Sequence, residues 1–425
     1  MFFLYKIIST IIFIIILPFW LILGLFKPKL VAGLKEKCGF YNKGVIPKPC
    51  DPETSSGRRD KTIVFYGVSV GEVIAMENLI KKARETFSEI NIVLLTGTKT
   101  GQEIAQKKLG ETCDFISYFP LDFPFCINNF IKKINPSAVF VMETELWPNF
   151  ANVMNEKKIP LYIINGRISD RTFKSYKKLS FFFKPVLRSY TNIFTQSFQD
   201  NEKLISIGAN PETTTVMGNL KFDIKKPDVQ TLDFPHSGKI LIAGSTHGGE
   251  DEIVLEAFSQ LKKEIPDLKL IIAPRHPERN ESVFGLMKNT GGTCSKRSLN
   301  GTFENNDIIL LDTMGELGKF YSICDVAFIG GSFNKTGGHN PLEATIFNKP
   351  VLSGPSVHNF KDIYTLLTSS DAGKIVKTAE ELKAGIKKLL TDQNYYDKAS
   401  CDCQTVFEQN KGALDFVIKV LQKLV

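Results

Sequence analysis

Short apolar runs recur along most of the chain, each followed by a polar turn and then by a stretch with helical spacing. In the first half the runs fall at residues 62–67, 91–95, 115–118, 138–142, 161–164 and 193–195. Helical stretches fall between them, at about 72–87, 99–109 and 123–134. Continuous apolar strands alternating with helices predict a parallel sheet covered on both faces. A second series has strands at 239–243, 268–273, 307–311, 325–329 and 350–352. Thr378 with Glu381 reads as a capping box that opens a further helix. Helical spacing continues to Val425, and the segment from about 405 to 424 is placed to cross back onto the first domain. The predicted class is α/β, with two doubly wound, Rossmann-like domains over residues 61–222 and 239–395. Residues 223–238 link them and 396–425 form a C-terminal helix.

The N-terminus breaks this pattern. Residues 7–26 form a mostly apolar run without a charge, about the length that crosses a hydrocarbon core. Lys6 precedes it; Lys27, Lys29, Lys35 and Lys37 follow. The positive-inside rule then puts the bulk of the chain on the cytoplasmic side. A cleaved signal peptide would need a small-residue site after the run, and Phe26-Lys27-Pro28 offers none. Residues 1–26 are expected to be a retained membrane anchor, and 27–60, with three prolines and Ser55-Ser56-Gly57-Arg58-Arg59 in its later part, a linker.

At 425 residues two domains are the natural expectation, and 43% hydrophobic with 23% charged residues is a globular composition. The net charge of +8 is concentrated partly in the N-terminal lysines, which points to membrane or acidic lipid and away from nucleic acid. Eight scattered cysteines show neither zinc-ligand spacing nor a disulfide framework, which fits a reducing cytoplasm. His247, His339 and His358 lie on similar turns without metal-ligand spacing, and no Asp-x-Asp occurs. No metal or cofactor is expected. Phe181-Phe182-Phe183, followed by Lys184, reads as core rather than as a lipid-facing surface.

Ligands of parallel sheets gather at the carboxyl ends of strands. One turn there dominates. After the strand ending at Ile329 come Gly330, Gly331, Gly337 and Gly338, then Asn340 as an N-cap with Pro341 in first helical position. Backbone N–H groups at such a helix start favour a phosphate, and Glu343 in the first turn suits a ribose diol. Arg275 and His276, directly after another strand, suit a phosphate too. In the first half, Glu72 follows a strand end beside Gly71, where a carboxylate is desolvated enough to be basic yet open to a hydroxyl. A favourable charge at a helix start is its plainer reading. Glu143 and Glu145 follow a later strand; their plainer role is to tie down the loop. Arg167 follows the next, with a structural ion pair as the alternative. Lys221 offers a cation to the site or is an ordinary solvated lysine.

Several of these stretches together carry a resemblance. Ser69-Val70-Gly71-Glu72, Glu143-Thr144-Glu145-Leu146-Trp147-Pro148, Asn165-Gly166-Arg167-Ile168-Ser169, Gly218-Asn219-Leu220-Lys221, Ala273-Pro274-Arg275-His276, Met314-Gly315-Glu316-Leu317 and Gly338-His339-Asn340-Pro341-Leu342-Glu343 closely resemble the 3-deoxy-D-manno-octulosonic acid (Kdo) transferases. The match runs in order from about residue 62 to 360. The resemblance implies the GT-B architecture, two Rossmann-like domains facing across a cleft, behind an N-terminal membrane anchor helix. It implies inverting transfer of Kdo from CMP-Kdo to a lipid A precursor (lipid IVA) at the cytoplasmic face of the inner membrane, in lipopolysaccharide biosynthesis. The N-terminal domain would bind the acceptor and the C-terminal domain the CMP-sugar. By the family pattern Glu72 is the general base, and Glu143 and Lys221 stabilise the transition state. Arg275 and His276 hold the CMP phosphate, Met314, Gly315, Glu316 and Leu317 border the nucleotide, and Asn340, Pro341, Leu342 and Glu343 complete the CMP site.

Three other readings compete: a GT-B enzyme using another nucleotide sugar, a nicotinamide oxidoreductase and a non-catalytic sugar-nucleotide sensor. The oxidoreductase lacks a G-x-G-x-x-G after the first strand of either half. The sensor leaves Glu72 without a task.

Overall fold

The computed structural model describes residues 2–26, 33–41, 61–230, 232, 234–235 and 238–425; on the first helix, side chains are described at positions 2, 5–15 and 18. The chain divides into two compact units, Met1–Asp223 with Asn410–Val425, and Ile224–Gln409.

The first unit opens with α1 (Phe2–Phe26) and α2 (Leu34–Lys37). It continues with β1 (Lys61–Gly67), α3 (Val70–Thr86), β2 (Ile90–Thr96), α4 (Lys99–Leu109), β3 (Phe115–Tyr118), α5 (Pro124–Ile134), β4 (Ala138–Met142) and α6 (Pro148–Glu156). Then follow β5 (Leu161–Gly166), α7 (Asp170–Lys178), α8 (Ser180–Leu187), β6 (Asn192–Thr195), α9 (Phe198–Ile207) and β7 (Thr214–Val216). The strands form one parallel sheet in the order β3-β2-β1-β4-β5-β6-β7. Its central strands bury nearly every side chain on both faces, which is why they read as unbroken apolar runs. Phe65 and Phe140 stack at 5.5 Å with no exposure, and each such side chain contributes about 1.5–3 kcal/mol by leaving water.

The second unit has β8 (Ile240–Thr246), α10 (Glu250–Glu264), β9 (Lys269–Pro274), α11 (Asn280–Lys288), β10 (Cys294–Lys296), β11 (Ile308–Leu310), α12 (Leu317–Phe320) and β12 (Val326–Ile329). After them come α13 (Leu342–Thr345), β13 (Val351–Ser353), α14 (Lys361–Thr368), β14 (Gly373–Ile375), α15 (Ala379–Thr391) and α16 (Gln393–Asn410). Its parallel sheet runs β10-β11-β9-β8-β12-β13-β14. Both sheets reverse strand order beside their first strand, between β1 and β4 and between β8 and β12. That switch point is where such sheets bind ligands.

The stretch read as one C-terminal helix is two. Lys411 and Gly412 interrupt it, Gly412 at φ 95°, where a side chain would be strained. The last helix, α17 (Ala413–Gln422), belongs to the first unit and packs on α3. Asp223 fixes its start: one carboxylate accepts the N–H groups of Gly412 and Leu414, each at 2.7 Å.

The run expected to cross a membrane is helical within α1. Among the described residues, however, no helix is long and apolar enough to cross a membrane. One face of α1 rests on the first unit. Tyr5 Oη donates to Asp122 (3.3 Å), Asn149 donates to Ser9 Oγ (3.1 Å), and the Phe13 and Phe123 rings lie 4.2 Å apart. Ile7, Ile8, Ile11, Ile12, Ile14 and Ile15 remain exposed. The linker expected over 27–60 lies outside the described residues except for 33–41, which holds α2. The Phe181–183 expectation is corrected: Phe182 and Phe183 are half-buried, but Phe181 is 73% exposed, because the first turn of α8 points it outward.

Candidate active site

In the first unit, β1 ends at Gly67 and the chain turns directly into α3. Ser69 is the N-cap, extended at φ −112°, and its hydroxyl oxygen faces the Glu72 N–H at 3.5 Å. Glu72 bends back over the helix start in a variant of the capping box: one carboxylate oxygen accepts the N–H of Val68, the residue before the N-cap (2.8 Å), the other the Ser69 hydroxyl (3.0 Å). The plain helix-start role is therefore real, and it does not exhaust the residue. Burial pushes the Glu72 carboxyl up to about 7. The Val68 N–H opposes this, Glu143 adds to it, the Ser69 hydroxyl opposes it and Glu145 adds a little more. A carboxylate poised there accepts a proton from a hydroxyl near neutral pH.

Glu143 follows β4, the neighbour of β1. It lies in the left-handed region at φ 57°, strained for a non-glycine residue, and its Oε2 meets Arg167 Nε at 3.0 Å. Arg167 thus does form the ion pair its plainer reading predicted. Thr144 ties the same two loops: its hydroxyl donates to the Arg167 carbonyl (2.5 Å) and accepts the Arg167 N–H (3.1 Å). Burial, and then Glu143, raise the Glu145 carboxyl. Glu72, Glu143 and Glu145 are therefore electrostatically coupled at one edge of one sheet.

Lys221 lies in the 3-10 turn Leu220–Phe222, which packs against α3. A buried amide network that the sequence did not disclose sets that turn. Asn165, with no exposure and φ 55°, accepts the Leu220 N–H at its Oδ1 (2.9 Å). Its carbonyl accepts from Gln196 (3.1 Å), whose own side-chain oxygen accepts from Asn219 (3.1 Å). The β5–β6 register shifts between Ile163 and Gly166, so the bulge re-aims the chain just before Arg167.

The second unit uses the equivalent edge differently. Glu250, the first residue of α10, is 1% exposed. Its carboxylate accepts the N–H groups of His247 (2.9 Å), Gly331 (2.7 Å), Ser332 (2.8 Å) and Phe333 (2.8 Å). Two further donors of the same turn go to backbone carbonyls: Gly338 N–H to Gly331 and His339 N–H to Gly330. In the first part of the glycine-rich turn the N–H groups of Gly331, Ser332 and Phe333 already hold a carboxylate, that of Glu250, while the expected phosphate place is the helix start at 340–343, which Glu250 does not occupy. The helix after the turn, α13, is four residues long. The helix starts one residue later than expected, with Pro341 at the N-cap and Leu342 first; Asn340 stands just before the cap and its Oδ1 accepts the Leu342 N–H at 3.1 Å.

An arginine and three histidines gather at this edge of the sheet. Arg275 and His276 are exposed just past β9. His247, past β8, and His339, at the end of the turn after β12, approach through their Nε2 atoms at 2.9 Å. The rings of His247 and His276 meet edge to face with centroids 5.2 Å apart. Burial raises the Glu343 carboxyl, while Arg275 and Asn340 oppose the rise, so Arg275 and Glu343 share one electrostatic neighbourhood. Met314, 82% exposed, and Gly315, at φ 82°, form the tip of the turn before α12, and the Thr313 hydroxyl donates to Glu316. The sequence reading noted the turns of His247 and His339 but missed their pairing. Among the described residues no three His, Cys, Asp or Glu side chains are arranged to hold a metal ion.

Residues 32–224 match the family described as 3-Deoxy-D-manno-octulosonic-acid transferase (kdotransferase), and residues 251–401 match Glycosyl transferases group 1. A 3-deoxy-D-manno-octulosonic acid transferase from Haemophilus influenzae is 34% identical over 96% of this chain and 95% of its own. The chain belongs to the Kdo transferase family. A Rickettsia bellii transferase of the same name is 29% identical over 85% of this chain and 87% of its own. A crystal structure of MurG from Acinetobacter baumannii, 15% identical, covers 85% of this chain and 99% of its own with a TM-score of 0.55, a likeness of GT-B fold alone. The Kdo transferase thus carries Glu72, Glu143 and Glu145 on its first unit and Arg275, His276 and the His247–His339 pair on its second.

Proposed function

We propose that the enzyme transfers Kdo from CMP-Kdo to a lipid A precursor, lipid IVA, with inversion, at the cytoplasmic face of the inner membrane. Membership of the Kdo transferase family supports the sugar and the reaction class. The observation that carries the mechanism is Glu72, held by two local hydrogen bonds and pushed up to about 7 at the switch point of its sheet.

Glu72 takes the proton of the acceptor hydroxyl as that oxygen attacks the anomeric carbon. The bond from that carbon to the phosphate oxygen breaks, and its electron pair leaves with CMP. The transition state has oxocarbenium character, which favours a nearby carboxylate. Glu143, fixed by Arg167, supplies one, and Lys221 adds a cation from a turn held by the Asn165 network. On the second unit Arg275 and His276 bind the phosphate, Glu343 the ribose, and residues 314–317 and 340–342 border the nucleotide. The exposed isoleucines of α1 and the exposed ring of Phe181 fit contact with the apolar part of a bilayer, as residues 1–26 suggest from sequence.

The test is a radiolabelled transfer assay with purified protein, CMP-Kdo generated in situ and tetraacylated lipid A precursor. Labelled lipid product supports donor, acceptor and reaction together, and its mobility counts the sugars added. A protein that binds CMP yet yields no product with this acceptor would defeat the acceptor assignment.

A further inference from the structure

His247 and His339 make a contact that no ordinary turn requires. Their Nε2 atoms are 2.9 Å apart and their rings lie within 14° of parallel. Two nitrogens at that separation share one hydrogen, so one donates and the other accepts. Glu250, Arg275, Arg279 and His276 act on His247, and Arg275 and His276 act on His339 beside the pair's own interaction. Glu250 is the one carboxylate in that set, and its oxygens are already spent on four backbone N–H groups. Of the arginines, Arg279 is paired with Asp251 and Arg275 shares its surroundings with Glu343, while Glu250 favours a charged His247 and Arg275 opposes charge on both rings. Burial first, and then Arg275, push His339 down to about 4; burial also lowers His247. An anion arriving beside Arg275 reverses that balance.

We propose that the His247–His339 pair takes up one proton when the nucleotide phosphate binds, and that the protonated pair faces the phosphate as the sugar leaves it. This rests on the CMP-sugar reading above. With the added proton, His247 Nε2–H donates to His339 Nε2, and each ring keeps an N–H at Nδ1. The donor phosphodiester carries one negative charge. When its bond to the anomeric carbon breaks, the electron pair stays on the phosphate and a second negative charge develops there. The acceptor proton goes separately to Glu72. The imidazolium stands against the new charge, and the N–H groups of Gly331, Ser332 and Phe333 do not share that task because Glu250 accepts them. The pair thus adds two residues, His247 and His339, to the phosphate site.

The experiment is calorimetric titration of the full-length enzyme with the methyl ester of CMP, a phosphodiester that does not itself titrate near neutral pH. Runs at pH 6.5 in buffers of different ionisation enthalpy give the protons taken up. Wild type should take up about half to one proton per ligand bound, falling below about 0.2 in His247→Asn and His339→Asn but not in His276→Asn. Cytidine, which lacks the phosphate, should cause no uptake. Binding by wild type without uptake overturns the pair and leaves the donor reading intact. Uptake lost in His276→Asn alone moves the proton to His276 and also overturns it. Failure of wild type to bind either the ester or CMP defeats the donor reading, and the proposal with it.

Discussion

Glu72 and Glu250 occupy equivalent places: each lies in the first turn of the helix after the first strand of its sheet, at a switch point. Their fates differ. Glu72 accepts one backbone N–H and one hydroxyl, keeps carboxylate neighbours, and is pushed up to about 7. Glu250 accepts four backbone N–H groups and is almost wholly buried. The same residue at the same topological place is poised for proton transfer in one unit and builds the loop in the other. Burial raises Glu72 most, and its few donors and acidic neighbours leave that rise standing, whereas the oxygens of Glu250 are taken up by backbone N–H groups that fix the loop.

The largest break in this comparison comes from Glu250→Ala. Four backbone donors lose their acceptor, each costing about 1–3 kcal/mol if left unsatisfied. We expect a loss of at least ~3 kcal/mol in the stability of the second unit, read by urea unfolding. Circular dichroism is the suitable probe, because both tryptophans, Trp20 and Trp147, belong to the first unit. An unchanged midpoint would mean that the glycine-rich turn does not need its internal carboxylate, and would return that turn to ligand binding.

Glu72→Ala should do the reverse: little to the fold beyond a lost capping interaction, and much to turnover. Loss of a general base lowers the rate at least ~100-fold, with CMP binding intact by calorimetry. An equal loss of CMP affinity would contradict the role. In the wild type, kcat/KM should rise with pH through about 7, because only the ionised Glu72 accepts the acceptor proton. A rate flat from pH 5.5 to 8.5 would remove Glu72 from the chemistry.

The contrast also marks what the sequence could disclose. The alternating pattern and the strand-end positions of Glu72, Glu143, Arg275 and Glu343 were legible, because fully buried strands leave unbroken apolar runs and polar turns stand out against them. Strands β7, β10 and β14 lie at sheet edges, are only partly buried and carry mixed polar residues, so they leave no apolar run, unlike the equally short β11 and β13. Four glycines and an N-cap suggest a phosphate at the helix start, but they do not disclose that the N–H groups of Gly331, Ser332 and Phe333 are taken by Glu250, 81 residues before Gly331. Three acids in succession at 250–252 were the available signal, but their spacing says nothing of what they face. The His247–His339 and Asn165–Gln196–Asn219 contacts join residues tens of positions apart, and no local pattern encodes such a meeting.

On the second unit, Arg275→Ala sharpens the comparison from the other side. Glu250 takes the N–H groups of Gly331, Ser332 and Phe333, which leaves side-chain cations a larger share of the phosphate. Losing a charged hydrogen bond of about 1.5–3 kcal/mol should raise the donor KM ten-fold or more, with kcat changed less. An unchanged donor KM would leave the phosphate held elsewhere.

The smallest effect tests the hydrogen-bond argument itself. The Ser69 hydroxyl donates to the ionised Glu72 and so holds its carboxyl below where burial alone would put it. Ser69→Ala removes that donor while leaving Glu72, its burial and the Val68 N–H in place. The Glu72 carboxyl should then rise further, and the acid limb of kcat/KM should move to higher pH by less than about one unit, a shift worth at most ~1.4 kcal/mol. The lost N-cap should cost about 1 kcal/mol of stability, a change that unfolding measures separately. A limb that moves to lower pH would have the wrong sign, since removing a donor to a carboxylate can only disfavour its charged form. A limb that stays fixed while stability falls would mean that Ser69 serves the helix alone, and that the basicity of Glu72 is set by burial and its carboxylate neighbours.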